Sequence, residues 1–281
     1  MEVESIPQTK QNVQTPSLNK LSKQQASRLL RLKGGIIVSC QAAKGEPFFG
    51  HMHLFAKSAK RGGAIGIRGD YPELTQLKKV GLVLIGIYKK KVKGQVIITP
   101  SIQEIKKLLI ADIIAFDATK RKTDDEVKAM IDAIHHHHKL AMADIATADE
   151  GLRAWNLGAD LVATTLSGYT PWSKQQQEPD LALVATLASH QVRVIAEGRI
   201  ATPAQAAQAI TAGAYAVVVG SAITRPILLT QAFVHAATTA AQQHRQSKKK
   251  EQGKDKNKWP KNKEELQNGN NNIVQHNSTT A

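Results

Sequence analysis

Ile195-Ala196-Glu197-Gly198-Arg199 and Val217-Val218-Val219-Gly220-Ser221 are apolar runs that each stop at a glycine, about one βα unit apart. Late glycine-ended strands of this kind build the phosphate cradle of (β/α)8 barrels, where main-chain N–H groups and the start of a short helix face the anion. Glu197 stands directly before the first glycine, which places an acid/base group beside the phosphate end. The combination points to an enzyme acting on a small phosphorylated molecule.

Working outward, strand-like apolar runs recur eight times, at 36–41, 64–69, 82–88, 113–118, 139–145, 161–165, 192–198 and 216–221. Helically spaced segments fall between most of them, among them Pro72–Val80, Ile102–Leu109, Asp124–Ile134, Ala148–Leu157, Leu181–His190 and Pro203–Ala212. Near-continuous apolar strands alternating with helices indicate a parallel sheet covered on both faces. Eight units closing on themselves give an α/β TIM barrel. The alternative, an open doubly wound sheet, would carry a glycine-rich turn after its first strand. This chain has Gln41-Ala42-Ala43-Lys44-Gly45-Glu46-Pro47 there, so the barrel is preferred.

The ends differ from the middle. Residues 1–22 read as a polar, flexible extension, 23–244 as the barrel domain, and 245–281 as a basic, disordered, low-complexity tail. The formal charge of +15 is concentrated at these ends. A basic tail holds nucleic acid only weakly without aromatic groups to stack on bases, and Trp259 is the tail's one aromatic residue, so a nucleic-acid role is not expected. No apolar run approaches the roughly 18 residues of a membrane span. The single cysteine, Cys40, excludes an internal disulfide, and the N-terminus lacks an apolar signal core; both predict a cytoplasmic protein.

In a barrel the C-terminal ends of the strands face the active site. Here those ends read Gln41, Arg68, Lys89, Asp117, Asp144, Thr164-Thr165, Glu197 and Gly220-Ser221. Lys89 follows a buried run, and partial burial lowers a lysine pKa until the amine serves as a base near neutrality. The bland alternative is one more exposed lysine in Lys89-Lys90-Lys91. Glu197 could exchange a proton on the opposite side of a bound sugar, or simply pair with Arg199 or Arg68. Two proton-handling groups facing one carbon suit removal and return of a proton beside a carbonyl. The run His135–His138 lies at the far face of the barrel, and no zinc-hydrolase spacing is present, so zinc hydrolysis is not indicated.

Several motifs together resemble the N-acetylmannosamine-6-phosphate 2-epimerases. They include Ser39-Cys40-Gln41-Ala42, Gly66-Ile67-Arg68, Ile85-Gly86-Ile87-Tyr88-Lys89, Asp117-Ala118-Thr119-Lys120-Arg121 and Met142-Ala143-Asp144-Ile145. Further along stand Thr164-Thr165-Leu166-Ser167-Gly168-Tyr169-Thr170, Ala196-Glu197-Gly198-Arg199-Ile200-Ala201-Thr202-Pro203 and Val219-Gly220-Ser221-Ala222-Ile223-Thr224-Arg225-Pro226. In order, they span about residues 34–235. The resemblance implies a TIM barrel that interconverts N-acetylmannosamine 6-phosphate and N-acetylglucosamine 6-phosphate in sialic acid catabolism. By it, Lys89 would take the C2 proton from the open-chain sugar, and Glu197 would assist ring opening and proton return. Gln41, Arg68, Asp144 and Arg225 would hold the sugar. The phosphate would rest on Gly198, Arg199, Gly220 and Ser221, with Arg199 supplying charge. No cofactor is implied, the partner is a small sugar phosphate, and a homodimer is compatible. Lys120-Arg121-Lys122-Thr123 and Ala146 depart from the family pattern. Two other readings stay open, another phosphate-binding barrel enzyme and a non-catalytic barrel.

Overall fold

The computed structural model describes residues 21–92 and 95–256. Eight parallel strands close into a barrel: β1 (Ile36–Cys40), β2 (Gly66–Asp70), β3 (Val83–Ile87), β6 (Ile113–Asp117), β7 (Leu140–Asp144), β8 (Leu161–Ala163), β9 (Val194–Glu197) and β10 (Ala216–Val219). The ring order is β1-β10-β9-β8-β7-β6-β3-β2. All eight coincide with the apolar runs read from sequence, and the open-sheet alternative is excluded. The expected helices form as α3 (Leu74–Lys78), α4 (Ile102–Lys107), α5 (Asp124–His136), α6 (Ala148–Asn156), α7 (Leu181–Ser189) and α8 (Pro203–Thr211). The polar segment 1–20 lies outside the described residues.

Two elements were not anticipated. Helix α2 (Met52–Arg61) follows β1, and an antiparallel hairpin, β4 (Lys89–Val92) with β5 (Gln95–Ile98), leaves the barrel directly after β3. Short β-hairpins on barrel loops are local pairings that the 2- and 3.6-residue barrel rhythm does not announce.

The alternation of each strand sorts its side chains into two layers. Outward residues such as Val38, Leu84, Phe116, Val162 and Val217 pack against the helices. Inward residues such as Ile37, Ile85, Ile113, Met142, Ile195 and Val218 fill the barrel. Helix α1 (Lys23–Leu32) plugs the N-terminal end, with Leu29 and Leu32 fully buried in that inner cluster. Tyr215 Oη donates to the Leu29 carbonyl at 2.9 Å. Four helices begin with a reciprocal capping box, Ser22/Gln25, Thr123/Glu126, Thr147/Glu150 and Thr202/Gln205, which satisfies main-chain N–H groups left open at a helix start.

At the same end, His135 closes α5 and its Nε2 lies 2.8 Å from Asp160 Oδ2. The histidine run therefore supplies a hydrogen-bonding partner for the buried Asp160 at the barrel base, away from the catalytic face.

The chain divides after Pro226. Helix α9 (Ser221–Thr224) ends the first unit, and α10 (Pro226–Lys256) runs through the boundary drawn at 244. Residues 245–256 are thus helical, where the sequence predicted disorder. Ala236, Ala237, Ala240 and Ala241 favour helix, and the lysines that follow are good helix formers. Residues 257–281 lie outside the described residues. Among the described residues no helix is long and apolar enough to cross a membrane.

Truncating the plug with Leu29→Ala is expected to destabilise the fold by about 2–5 kcal/mol in urea denaturation. The hydrogen bond to Asp160 holds the His135 pKa above its usual value. That stabilisation is complete below the unfolded-state pKa and disappears as pH rises through the folded-state value. His135→Ala should therefore lower stability more at pH 5.5 than at pH 8.5.

Candidate active site

The inward parity that buries aliphatic residues low in the barrel delivers polar ones at its top. Lys89 is two residues past Ile87, Arg68 two past Gly66, Asp144 two past Met142, and Glu197 two past Ile195. In the ring order β3 and β9 are diametrically opposite. Lys89 and Glu197 therefore approach the mouth from facing sides.

Between them lies a buried ionic layer. Arg68, fully buried, donates to both oxygens of Asp144, from Nη1 at 3.0 Å and from Nη2 at 2.5 Å. Its Nη1 also pairs with Glu197 Oε2 at 2.9 Å. Of the two pairings open to Glu197, the structure makes the one with Arg68. Thr165 Oγ1 sits 2.8 Å from Asp144 Oδ1 and 3.1 Å from Glu197 Oε2, a bridging role that the sequence did not assign it. Its place in the Thr164-Thr165 strand end was the available signal. Thr164 Oγ1 donates to the Glu197 carbonyl at 2.9 Å and accepts its N–H at 3.0 Å, fixing that strand end.

The electrostatics follow from this crowding. Burial pushes the Glu197 carboxyl above the usual carboxylate range; nearby Asp144 adds to the shift, and Arg68 opposes it. Asp144 is raised by burial too, with Arg68 and Thr165 pulling the other way. Lys89 is accessible to solvent, but it stands in a concave mouth whose walls strip part of its hydration. That desolvation lowers its pKa; Asp70 and Glu197 oppose the drop, while Arg68 and Arg225 add to it. Lowering an amine and raising a carboxyl brings the two groups toward a common working pH. Lys89 Nζ lies 3.5 Å from Gln41 Oε1, and Gln41 Nε2 donates to Ser39 Oγ at 2.7 Å.

At the other side, β9 and β10 are neighbours, with Glu197 in register with Val218. Their ends place Gly198 and Gly220 on adjacent loops. Gly198 and Arg199 take φ of 106° and 59°, a sharp left-handed turn in which glycine at the first position is least strained. Gly220 caps the short helix α9 that starts at Ser221.

The Arg199 guanidinium is turned aside. Its Nε donates to the Glu178 carbonyl at 2.9 Å, its Nη1 to the Ser167 carbonyl at 2.8 Å, and the group lies over the Tyr169 ring. It ties down the loop after β8, whereas the family resemblance implied that it supplies charge to the cradle.

Arg225 pairs with Glu46 of the loop after β1, and so sits at the rim rather than in the buried layer. Glu46 was not singled out from sequence. Asp117 is held by Thr119 and by Arg121 at 2.6 Å. The departing residues Lys120 and Arg121 stack over Trp172, whose Nε1 donates to Glu150 at 2.9 Å. They brace the loop after β8 and take no place in the ionic layer.

A family model described as "Putative N-acetylmannosamine-6-phosphate epimerase" matches residues 52–239. A Clostridium perfringens (strain SM101 / Type A) protein named "Putative N-acetylmannosamine-6-phosphate 2-epimerase" is 45% identical over 212 residues, covering 72% of this chain and 96% of its own length. A Clostridioides difficile (strain 630) protein of the same name is 42% identical over 216 residues, covering 73% and 97%. The solved N-acetylmannosamine-6-phosphate 2-epimerase from Clostridium perfringens superposes with a TM-score of 0.69 at 44% identity, covering 74% of this chain and 95% of that one. A deoxyribose phosphate aldolase from Aeropyrum pernix, 18% identical with a TM-score of 0.52, shares the fold. The chain belongs to the N-acetylmannosamine-6-phosphate epimerase family.

Proposed function

We propose that this protein is an isomerase that interconverts N-acetylmannosamine 6-phosphate and N-acetylglucosamine 6-phosphate, in sialic acid and amino-sugar degradation. The observation that carries this reading is the opposition of Lys89 and Glu197 across one barrel mouth, with Arg68 between them. Inversion at C2 needs a proton removed from one face of the open-chain sugar and one returned to the other. The C2–H bond breaks beside the C1 aldehyde, its electron pair forms an enolate, and Lys89 Nζ receives the proton. Glu197, whose carboxyl burial pushes above the usual carboxylate range, delivers a proton to the opposite face, and the two groups then re-equilibrate with solvent. Arg68 offers a fixed cation to the developing oxyanion, which makes so weak a carbon acid accessible to an amine. Gln41, Asp144 and Arg225 hold the sugar, Arg225 by exchanging its Glu46 partner for substrate.

The phosphate rests on the main chain of Gly198, Arg199, Gly220 and Ser221. Its binding energy fixes the reacting carbon between the proton-transfer groups. Arg199 serves there through its peptide N–H, since its side chain is engaged elsewhere. The buried, unpaired Cys40 fits a cytoplasmic setting. Exposed Ile227, Leu228, Leu229, Phe233 and Val234 on α10 give a homodimer a physical basis, which light scattering would register.

Proton NMR of the protein with N-acetylmannosamine 6-phosphate, in excess EDTA, should show the gluco epimer accumulate. A folded protein giving no turnover would sink the reading. Lys89→Met is expected to lower turnover by at least about 100-fold. Glu197→Gln should lower epimerisation by a similar factor. In D2O that variant should still exchange the C2 proton of one epimer, because the facing base is intact.

A further inference from the structure

Lys89 lies two residues past the end of β3 and opens β4, and its side-chain direction is set by what happens to its main chain there. The β2–β3 ladder ends with Asp70 opposite Ile87 and with the Tyr71 N–H donating to the Ile87 carbonyl at 3.0 Å. Beyond it the chain swings into the β4–β5 hairpin, closed by Thr99 N–H to the Tyr88 carbonyl at 2.7 Å and Tyr88 N–H to Thr99 Oγ1 at 3.1 Å. The Lys89 N–H points back to the barrel, where Asp70 Oδ1 accepts it at 2.9 Å. A side chain of β2 thus continues the ladder by one residue, and that residue is Lys89.

We propose that Asp70 is a positioning residue for Lys89: its carboxylate accepts the lysine's peptide N–H, holds that main chain at the barrel mouth and sets a negative charge beside the amine. This rests on the assignment of Lys89 as the C2 base. Asp70 acts on the ammonium through space, while its direct contact is with the peptide. The charged groups around Lys89 are Asp70 and Arg68 of β2, Glu197 of β9 and Arg225 after α9. Those around Asp70 are Lys89, Glu73 and Arg68. Asp70 is half-buried, and burial lifts its carboxyl to about 6; above that pH it carries the negative charge that faces Lys89. Removing that negative charge removes a stabiliser of the ammonium and lowers the pH at which the base becomes available.

Asparagine keeps an oxygen for the Lys89 N–H and discards the charge, whereas alanine discards both. The test measures pH profiles of kcat/KM for the wild type, Asp70→Asn and Asp70→Ala. In parallel, pulse acetylation with acetic anhydride, followed by peptide mass spectrometry, reads the Lys89 amine without turnover. In Asp70→Asn the acid limb and the acetylation midpoint should both move down by at least about half a pH unit, with plateau kcat nearly kept. Asp70→Ala should show the same displacement together with a plateau loss of about tenfold or more, because the base is no longer held in place. Superimposable profiles and midpoints in the wild type and Asp70→Asn would overturn the proposal. A displaced acetylation midpoint in a protein that never turns over the sugar would uphold the Asp70–Lys89 coupling and defeat the epimerase reading alone.

Discussion

The rest of the site depends on one guanidinium, Arg68, held out of water by two carboxylates. Arg68 starts on β2, yet its partners are on β7 and β9, so the group crosses the barrel and joins strands that are not neighbours. Desolvation opposes the charge, and the carboxylates more than compensate, so Arg68 stays cationic. Replacing such an ion pair by apolar residues is often neutral or stabilising, while removing one partner alone is strongly destabilising. The arrangement is best understood by what it does to Glu197, whose acidity is set between burial and Asp144 on one side and Arg68 on the other. The cation that positions the acid is also available to stabilise an enolate.

This ionic layer is affordable because the barrel below it is apolar and sealed. Helix α1 closes the base with Leu29 and Leu32, and the interior carries aliphatic side chains up to the level of Ile87 and Ile195. Polar groups gather at the upper strand ends: Arg68 and Asp70 on β2, Asp117 on β6, Asp144 on β7 and Glu197 on β9. The base can tolerate charge of its own, His135 with Asp160, because those residues precede their strands and face away from the mouth. Stability and chemistry thus occupy opposite ends of the same strands.

The barrel was legible in the sequence because a parallel strand buried on both faces must be apolar at every position, which makes eight runs conspicuous. The places where those runs stop singled out Arg68, Lys89, Asp144 and Glu197 as strand-end groups. The hairpin after Lys89 was hidden, since a four-residue pairing rich in lysine has no barrel-like rhythm. Arg199 shows a limit of carrying a role over by resemblance: the resemblance has it supplying charge to the phosphate, and its neighbours turn the guanidinium onto the Glu178 and Ser167 carbonyls. Thr165, Glu46 and Asp70 act through pairings between distant loops or strands, which spacing along one chain cannot express. Helix α10 continues through the change in composition at 244, so the onset of the lysine-rich tail does not mark a helix end.

The most direct measurement is a crystal structure of Lys89→Met with N-acetylmannosamine 6-phosphate bound. The account predicts C2 of the sugar between residue 89 and Glu197, its C1 oxygen near Arg68, and the phosphate on the main chain of the Gly198 and Gly220 loops. A phosphate bound on the β1–β2 side, or a C2 atom remote from Glu197, would contradict it.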